Sequence, residues 1–248
     1  MSATIDVLHP ERPKQILLVA SNPSVSEQTG WPIGFWWAEL THPYWEFVER
    51  GYEVTIASPD GGSLAPDGFS DPEDESGYSA HDLISLGFKK SPAHAALVDD
   101  TTALADVDPA TFDAVFLVGG QAPMYTFRGN AAILDLVRAF YEAGKPTAIV
   151  CHATCVLLEA TKTDGSLIVD GLSWTGFADS EERFADEFVG QKIQPFWIEE
   201  EARKLPNTNF LVQSRFKAHA VRDGNLITGQ QQYSGAAAAR LVIEALGV

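Results

Sequence analysis

The sequence predicts an α/β fold, one domain built on a mostly parallel sheet with helices on both faces. Three observations predict it. Short apolar runs between polar residues recur along the chain, at 14–20, 52–58, 113–120, 147–150 and 225–229, which is the pattern of buried strands. Segments with helical spacing of apolar residues alternate with those runs. The chain has 248 residues, 45% hydrophobic and 21% charged, so it can bury a core without disulfides or metal. Residues 1–248 are read as a single α/β domain with an acidic surface excursion near 59–79.

The elements follow in order. KQILLVA (14–20) is a buried strand. The aromatic stretch TGWPIGFWWAELTHPYWEFVERG turns helical in its second half and stops at Arg50-Gly51. YEVTIAS (52–58) is the second strand, and strand, helix and strand in that span make a parallel crossover unit. Residues 59–79 are rich in Gly, Pro, Ser and acid and read as a solvated loop. Helical pieces fall within 80–105, and DAVFLVGG (113–120) is a strand ending in two glycines. Ile133, Leu134, Val137 and Phe140 share one face of a helix over 130–143, stopped by Gly144 with Pro146 beyond. Thr147 to Val150 is the next strand and runs straight into Cys151. LIVDGLSWTG (167–176) reads as a hairpin-like excursion around Asp170-Gly171. Residues 181–188 and 197–204 read as helices, NFLVQ (209–213) and NLITG (225–229) as strands, and the Ala-rich 234–246 as a closing helix.

Composition excludes several roles. Lys and Arg number 17 against 34 Asp and Glu, a formal net charge of −17. A nucleic-acid partner needs a cationic face, and an anionic membrane attracts one, so neither is expected. The two cysteines, Cys151 and Cys155, exclude a disulfide scaffold. The opening MSATIDVLHPERPK lacks the basic start and apolar core of a signal peptide, and no apolar run spans a membrane. A cytoplasmic location is expected. His9, His42, His81, His94, His152 and His219 show no ligand spacing and there is no second Cys pair, so no zinc site is expected.

The chemistry concentrates after the strand at 147–150. Cys151 falls at the turn from strand to helix, where amide groups favour a thiolate and a sharp elbow presents the side chain at the sheet's C-terminal edge. Position alone leaves two readings open, a nucleophile and a small buried hydrophobe. Cys155, four residues later, is read as packing.

Four motifs in order resemble the ThiJ/PfpI (DJ-one) superfamily, in its glyoxalase III-like and stress-chaperone branch. They are Gly119-Gly120 ending a strand, the Val150-Cys151-His152 run, Thr29-Gly30 with Ala38-Glu39-Leu40-Thr41-His42-Pro43, and Thr175-Gly176-Phe177-Ala178-Asp179-Ser180-Glu181-Glu182. Asp223-Gly224-Asn225-Leu226-Ile227-Thr228-Gly229 adds a further match near the end. The resemblance implies a flavodoxin-like three-layer sandwich, a mostly parallel central sheet and a nucleophile elbow. It also implies site roles: Cys151 as nucleophile, Glu39 as the acid on its sulfur, His152 as the proton-transfer group, and Glu182, with Glu181 in reserve, as the acid orienting the histidine. Gly119, Gly120 and Gln121, with His152, correspond to the oxyanion and substrate-binding loop.

The implied activity is cofactor-independent conversion of methylglyoxal or a related 2-oxoaldehyde, a small carbonyl substrate, to a 2-hydroxy acid by a homodimer. A cysteine hydrolase or hydratase on a bulkier substrate, and a stress chaperone or redox sensor, are the alternatives. Three departures surround the expected pocket: Ala153, the run Gln121-Ala122-Pro123-Met124-Tyr125-Thr126, and Gln231-Gln232-Tyr233-Ser234. With Trp31, Phe35, Trp36, Trp37 and Tyr125 nearby, they suggest a substrate larger or more apolar than methylglyoxal. The same aromatics would equally fill and shrink the pocket.

Overall fold

The structure is a computed structural model that describes residues 12–247. His9 and most of the opening segment lie outside the described residues. In chain order the elements are β1 (Gln15–Val19), β2 (Ser24–Val25), β3 (Pro32–Ile33), α1 (Trp37–Val48), β4 (Glu53–Ser58), α2 (Leu83–Lys90), α3 (Pro92–Asp99) and β5 (Thr102–Ala103). There follow β6 (Ala114–Leu117), α4 (Pro123–Thr126), α5 (Ala131–Glu142), β7 (Thr147–Val150), β8 (Ser173–Trp174) and α6 (Asp179–Val189). The chain closes with α7 (Ile198–Ala202), β9 (Asn209–Phe210), β10 (Ala220–Asp223), β11 (Leu226–Gly229) and α8 (Gly235–Ala245).

The central sheet has seven strands in the order β10-β11-β7-β6-β1-β4-β5. Every pairing is parallel except β10 with β11. Strands β6, β7 and β11 are buried along their whole length, as a strand covered on both faces must be. Helices α1 and α8 pack on each other and on the sheet, and α5 packs against β6 and β7. Helix α5 shows why the local sequence folds as it does. Asn130 caps it by accepting from the amides of Ala132 and Ile133, and Ile133, Leu136, Val137 and Phe140 bury its inner face. The fold is thus the α/β sandwich that the alternating pattern predicts.

Strand order places the site. The chain passes from β1 to β4 on one side and later to β6 on the other, so the crevice beyond the C-terminal ends of β1 and β6 is a switch point. Open parallel sheets bind ligands at such crevices.

Four local expectations need correction. Residues 167–176 make no hairpin; Ser173–Trp174 pairs in parallel with Asn209–Phe210 in a separate two-stranded sheet. The strand expected over 209–213 is therefore two residues long. Strand β10 was not foreseen, because its AVRD is half polar, a pattern that suits its place at the sheet edge. Residues 59–79 are more than a solvated loop: Asp67 and Ser70 are buried, and Phe69 and Tyr78 reach the cleft described below.

Candidate active site

Cys151 follows β7 directly and adopts φ 55°, a left-handed conformation that a side-chain-bearing residue rarely takes. This is the sharp elbow. The segment after it, Cys151–Leu158, is a 3₁₀ helix rather than the α-helix expected, tied at its start by the Thr154 hydroxyl donating to the Cys151 carbonyl at 2.6 Å. The stabilisation of sulfur therefore comes less from a helix dipole than from two individual amides, those of His152 and Gly120, which point at it. Burial pushes the Cys151 thiol well up and a charged Glu39 would push it further, while these two amides pull it down.

The glycine loop after β6 is built by close approach. A Cβ on Gly119 would collide with the Glu39 carboxylate and lie 2.8 Å from the Cys151 Cβ. Gly120 has φ 108°, and a Cβ there would lie 2.5 Å from the Gly34 carbonyl oxygen and 2.7 Å from the Trp36 nitrogen. Only glycine fits at either position. The Trp36 amide donates to the Gly119 carbonyl at 3.1 Å, which fixes the entrance of α1 against this loop.

Glu39 sits in the first turn of α1 and is fully buried. Its two carboxyl oxygens lack a hydrogen-bond partner of good geometry; the polar groups against them are the Cys151 thiol and the Gly119 amide. Burial pushes its pKa up to about 8, so at neutral pH the carboxyl is mostly protonated and can donate to sulfur.

On the other side His152 Nδ1 lies 3.5 Å from Cys151 Sγ, and its Nε2 lies 2.9 Å from Glu182 Oε1. The ring stacks on Phe177, with centroids 4.1 Å apart. Burial works to lower the His152 pKa, but Glu182, with smaller contributions from Glu39 and Asp67, turns the net shift upward. Glu181, the neighbour held in reserve, faces elsewhere. It accepts from the Ala178 amide at 3.1 Å, capping α6, and from the Phe216 amide and the Gln230 side chain, both at 2.9 Å. Glu182, not Glu181, is thus the carboxylate on the histidine.

Gln121 departs from its expected use. Its backbone amide donates to Asp67 Oδ2 at 2.6 Å and so does not face the sulfur, although its side chain lines the cleft. Asp67 also accepts from the Gly34 amide at 3.0 Å, and burial pushes its pKa up to about 7. It joins the entrance of α1 to the glycine loop from inside the supposed solvated excursion.

Cys151 and His152 open into a cleft whose wall is largely aromatic. Trp31 and Trp36 come from the segment before α1, Phe69 and Tyr78 from the acidic excursion. Phe177, Phe184 and Phe188 come from α6 and its approach, and Phe216 from the loop before β10. Phe35, Trp37 and Tyr125, expected here, do not line it. Trp37 is buried against Phe35 and Phe88, and the Tyr125 hydroxyl bonds to Ser26. Tyr233 is also off the cleft, whereas its neighbour Gln232 lines it and donates to the Tyr78 hydroxyl at 3.3 Å. Among the described residues, no group of three or more His, Cys, Asp or Glu is placed to hold a metal ion.

A family model described as DJ-1/PfpI matches residues 34–245. The chain belongs to the DJ-1/PfpI family. Within that family it is 24% identical over 241 residues to Glyoxalase 3 of Candida albicans, covering 94% of this chain and 98% of that one. It is 30% identical over 155 residues to Deglycase PH1704 of Pyrococcus horikoshii, covering 62% of this chain and 75% of the other. Among solved structures, the Rapid Encystment Protein of Francisella tularensis matches with a TM-score of 0.83 at 23% identity, covering 95% of this chain and all of that one. The crystal structure of Candida albicans glyoxalase III matches at 0.76 and 22%, covering 94% and 97%. These solved structures share the fold of this chain.

Sequence reading missed Asp67, Phe69, Tyr78 and Gln194. The first three lie in a stretch whose composition signals solvent, so only their placement in three dimensions shows them: Asp67 buried, Phe69 and Tyr78 on the cleft. Phe177 stood inside a quoted motif, next to the residues that were assigned roles.

Proposed function

We propose that this protein is a glutathione-independent, glyoxalase III-like enzyme that converts a 2-oxoaldehyde and water to a 2-hydroxy acid. The observation that carries the reading is the constellation around one sulfur. Cys151 meets the His152 ring on one side and buried, protonated Glu39 on the other, and two amides face it. Names of relatives support the reaction class, since both glyoxalase and deglycase act on carbonyl chemistry.

The steps balance on the chain's own residues. The Cys151 sulfur adds to the aldehyde carbon as the thiol proton passes to the aldehyde oxygen, forming a hemithioacetal whose oxygen faces the Gly120 and His152 amides. His152 removes the proton from that carbon, giving an enediol as the neighbouring carbonyl oxygen takes up a proton, and returns the carbon-bound proton to the adjacent carbon while the hemithioacetal hydroxyl gives up its own. The former aldehyde carbon is now a thioester and the former ketone an alcohol, so one carbon is oxidised and its neighbour reduced with no external electron carrier. Water then hydrolyses the thioester and releases the 2-hydroxy acid and the thiol. Glu182 holds the His152 ring and stabilises its charged form during the transfer. Glu39 supplies a hydrogen bond to sulfur without adding a second negative charge.

The test is turnover without glutathione, followed by proton NMR in deuterated water. The reading predicts a 2-hydroxy acid from wild type and none from Cys151→Ser. Equal turnover by the variant would reject it. A cytoplasmic homodimer belongs to the same proposal. Light scattering should return twice the 26.9 kDa chain mass, and a monomer would reject that part. Among the described residues no helix is long and apolar enough to cross a membrane.

A further inference from the structure

The cleft is far more apolar than a three-carbon substrate requires. Its aromatic rings meet edge to face, with one stacked pair, in a continuous series. Trp36 meets Tyr78 at 6.1 Å between centroids, Tyr78 meets Phe69 at 6.1 Å, and Phe69 meets both Trp31 and Phe188 at 6.3 Å. Phe188 then stacks on Phe184 at 6.2 Å, and Phe184 meets Phe216 at 5.3 Å. The series carries the wall from the entrance of α1, through the excursion, to α6. Phe188 is 63% exposed at the lip, where it extends the ring series to the surface.

The polar groups on this wall are uncharged. Apart from the catalytic set, they belong to Gln121, Gln194, Gln232, Tyr78 and the indoles of Trp31 and Trp36. Among the described residues no lysine or arginine lines the cleft; Arg215 lies over the Phe184 ring, 4.6 Å from its centroid, without lining the cleft itself. A carboxylate or phosphate on the substituent, lying against the ring series, would meet no lysine or arginine and a chain of net charge −17. Gln194 is a second, independent pointer to a ligand. The residue is 1% exposed, lines the cleft, and its Oε1 is buried with no hydrogen-bond partner. An unpaired buried acceptor is unfavourable in the free protein and becomes satisfied if a bound molecule or its water donates to it.

We propose that the preferred substrate is a 2-oxoaldehyde bearing an uncharged aromatic or branched apolar substituent, with methylglyoxal a poor substitute. The inference rests on the glyoxalase III-like reading for its reaction and on the wall for its substrate class. The substituent lies against the ring series while its two carbonyl carbons reach Cys151 and His152. Contacts remote from the reacting carbons then contribute to transition-state binding, which a methyl group cannot supply. A hydrophobic wall discriminates modestly per methylene, so a phenyl group against a methyl should give at least about a tenfold preference.

The experiment compares kcat/KM for phenylglyoxal, methylglyoxal and 4-carboxyphenylglyoxal, in wild type and in Phe188→Ala. A separate arm measures binding of mandelate and lactate, the corresponding products, to Cys151→Ser by tryptophan fluorescence, since Trp31 and Trp36 line the cleft. The proposal expects phenylglyoxal to exceed methylglyoxal at least tenfold and the carboxylated analogue to lose most of that gain. Phe188→Ala, altering an exposed lip that the fold does not depend on, should narrow the phenyl-to-methyl ratio severalfold. Mandelate should bind more tightly than lactate.

A preference for methylglyoxal overturns the proposal and leaves the glyoxalase reading standing. Equal handling of the carboxylated analogue overturns the uncharged requirement. If no 2-oxoaldehyde turns over yet mandelate still binds more tightly, the reaction reading fails while the aromatic ligand class stands. If neither turnover nor selective binding is seen, both fall.

Discussion

The floor of the cleft and its wall are built in different ways. The floor comes from the ends of β6 and β7 and the first turn of α1. Backbone hydrogen bonds and two glycines that admit no methyl group lock it. The wall is made of side chains from four separate stretches of chain, which meet ring edge to ring face and leave Phe188 at the lip. A floor held by backbone leaves little room for adjustment, so substitutions there change chemistry. A wall held by side-chain packing can yield, so substitutions there change selectivity in smaller steps.

The sharpest way to break this comparison is to remove the sulfur. Cys151→Ala should lower kcat/KM for any 2-oxoaldehyde by at least about 1,000-fold. Cys155→Ala should stay within a fewfold, because Cys155 is buried and donates to the Pro123 carbonyl at 3.5 Å, away from the cleft lining. Steady-state kinetics of both variants check it, and comparable losses would mean that the floor is not centred on Cys151.

Glu182→Gln comes next. The amide can still bond to His152 Nε2 but cannot stabilise the imidazolium. The expected outcome is a kcat lower by about 100-fold with KM little changed, because Glu182 acts through the histidine. The companion Glu181→Gln should instead lower thermal stability, since Glu181 caps α6 and holds the Phe216 amide. If the two variants exchanged these effects, the division of labour between them would be reversed.

The floor also carries a pH signature that the wall lacks. Burial raises Glu39 to about 8 and Asp67 to about 7, against 4.5 and 3.8 for the free groups. Folded protein therefore binds protons that the unfolded chain would release. The stability associated with these protons is fully present below the unfolded values and is lost as pH rises through about 7 and then about 8. Melting temperature should fall between pH 5 and pH 9, and Glu39→Gln should flatten the upper part of that fall. Parallel curves for wild type and variant would place the proton elsewhere. The same substitution should change the pH dependence of Cys151 alkylation.

The smallest effect belongs to the wall. Tyr78→Phe keeps the ring contacts with Trp36 and Phe69 and removes only the hydroxyl that accepts from Gln232. It should lower unfolding free energy by roughly 1 kcal/mol and change kcat less than twofold. A large loss of kcat would move Tyr78 from the wall to the floor.

The same division explains what the sequence makes legible. Strands β1, β4, β6, β7 and β11 are short apolar runs with clear ends, and the sheet follows from them. Cys151, His152, Glu39 and Glu182 sit in short motifs beside element ends, where local sequence and position coincide. Asp67 has no such mark. It is one of several acids in a Gly- and Pro-rich stretch, and its burial depends on Gly34 and Gln121, remote in sequence. Aromatic residues near the motifs were equally ambiguous. Trp36 and Trp37 are adjacent, yet one faces the cleft and the other packs on Phe35 and Phe88, because neighbouring positions at a helix start point in different directions. Strand β10 escaped notice because an edge strand need not be apolar.

The account's central claim is that one sulfur, Cys151, carries the reacting carbon. The most direct measurement is an acid quench of the wild-type protein during turnover of a saturating 2-oxoaldehyde, followed by peptide mass mapping. The account predicts a 2-hydroxyacyl thioester, heavier than the free peptide by the substrate's mass, on the peptide containing Cys151, with fragmentation placing it on that residue. An adduct on Cys155, or turnover with no adduct on Cys151, would contradict it.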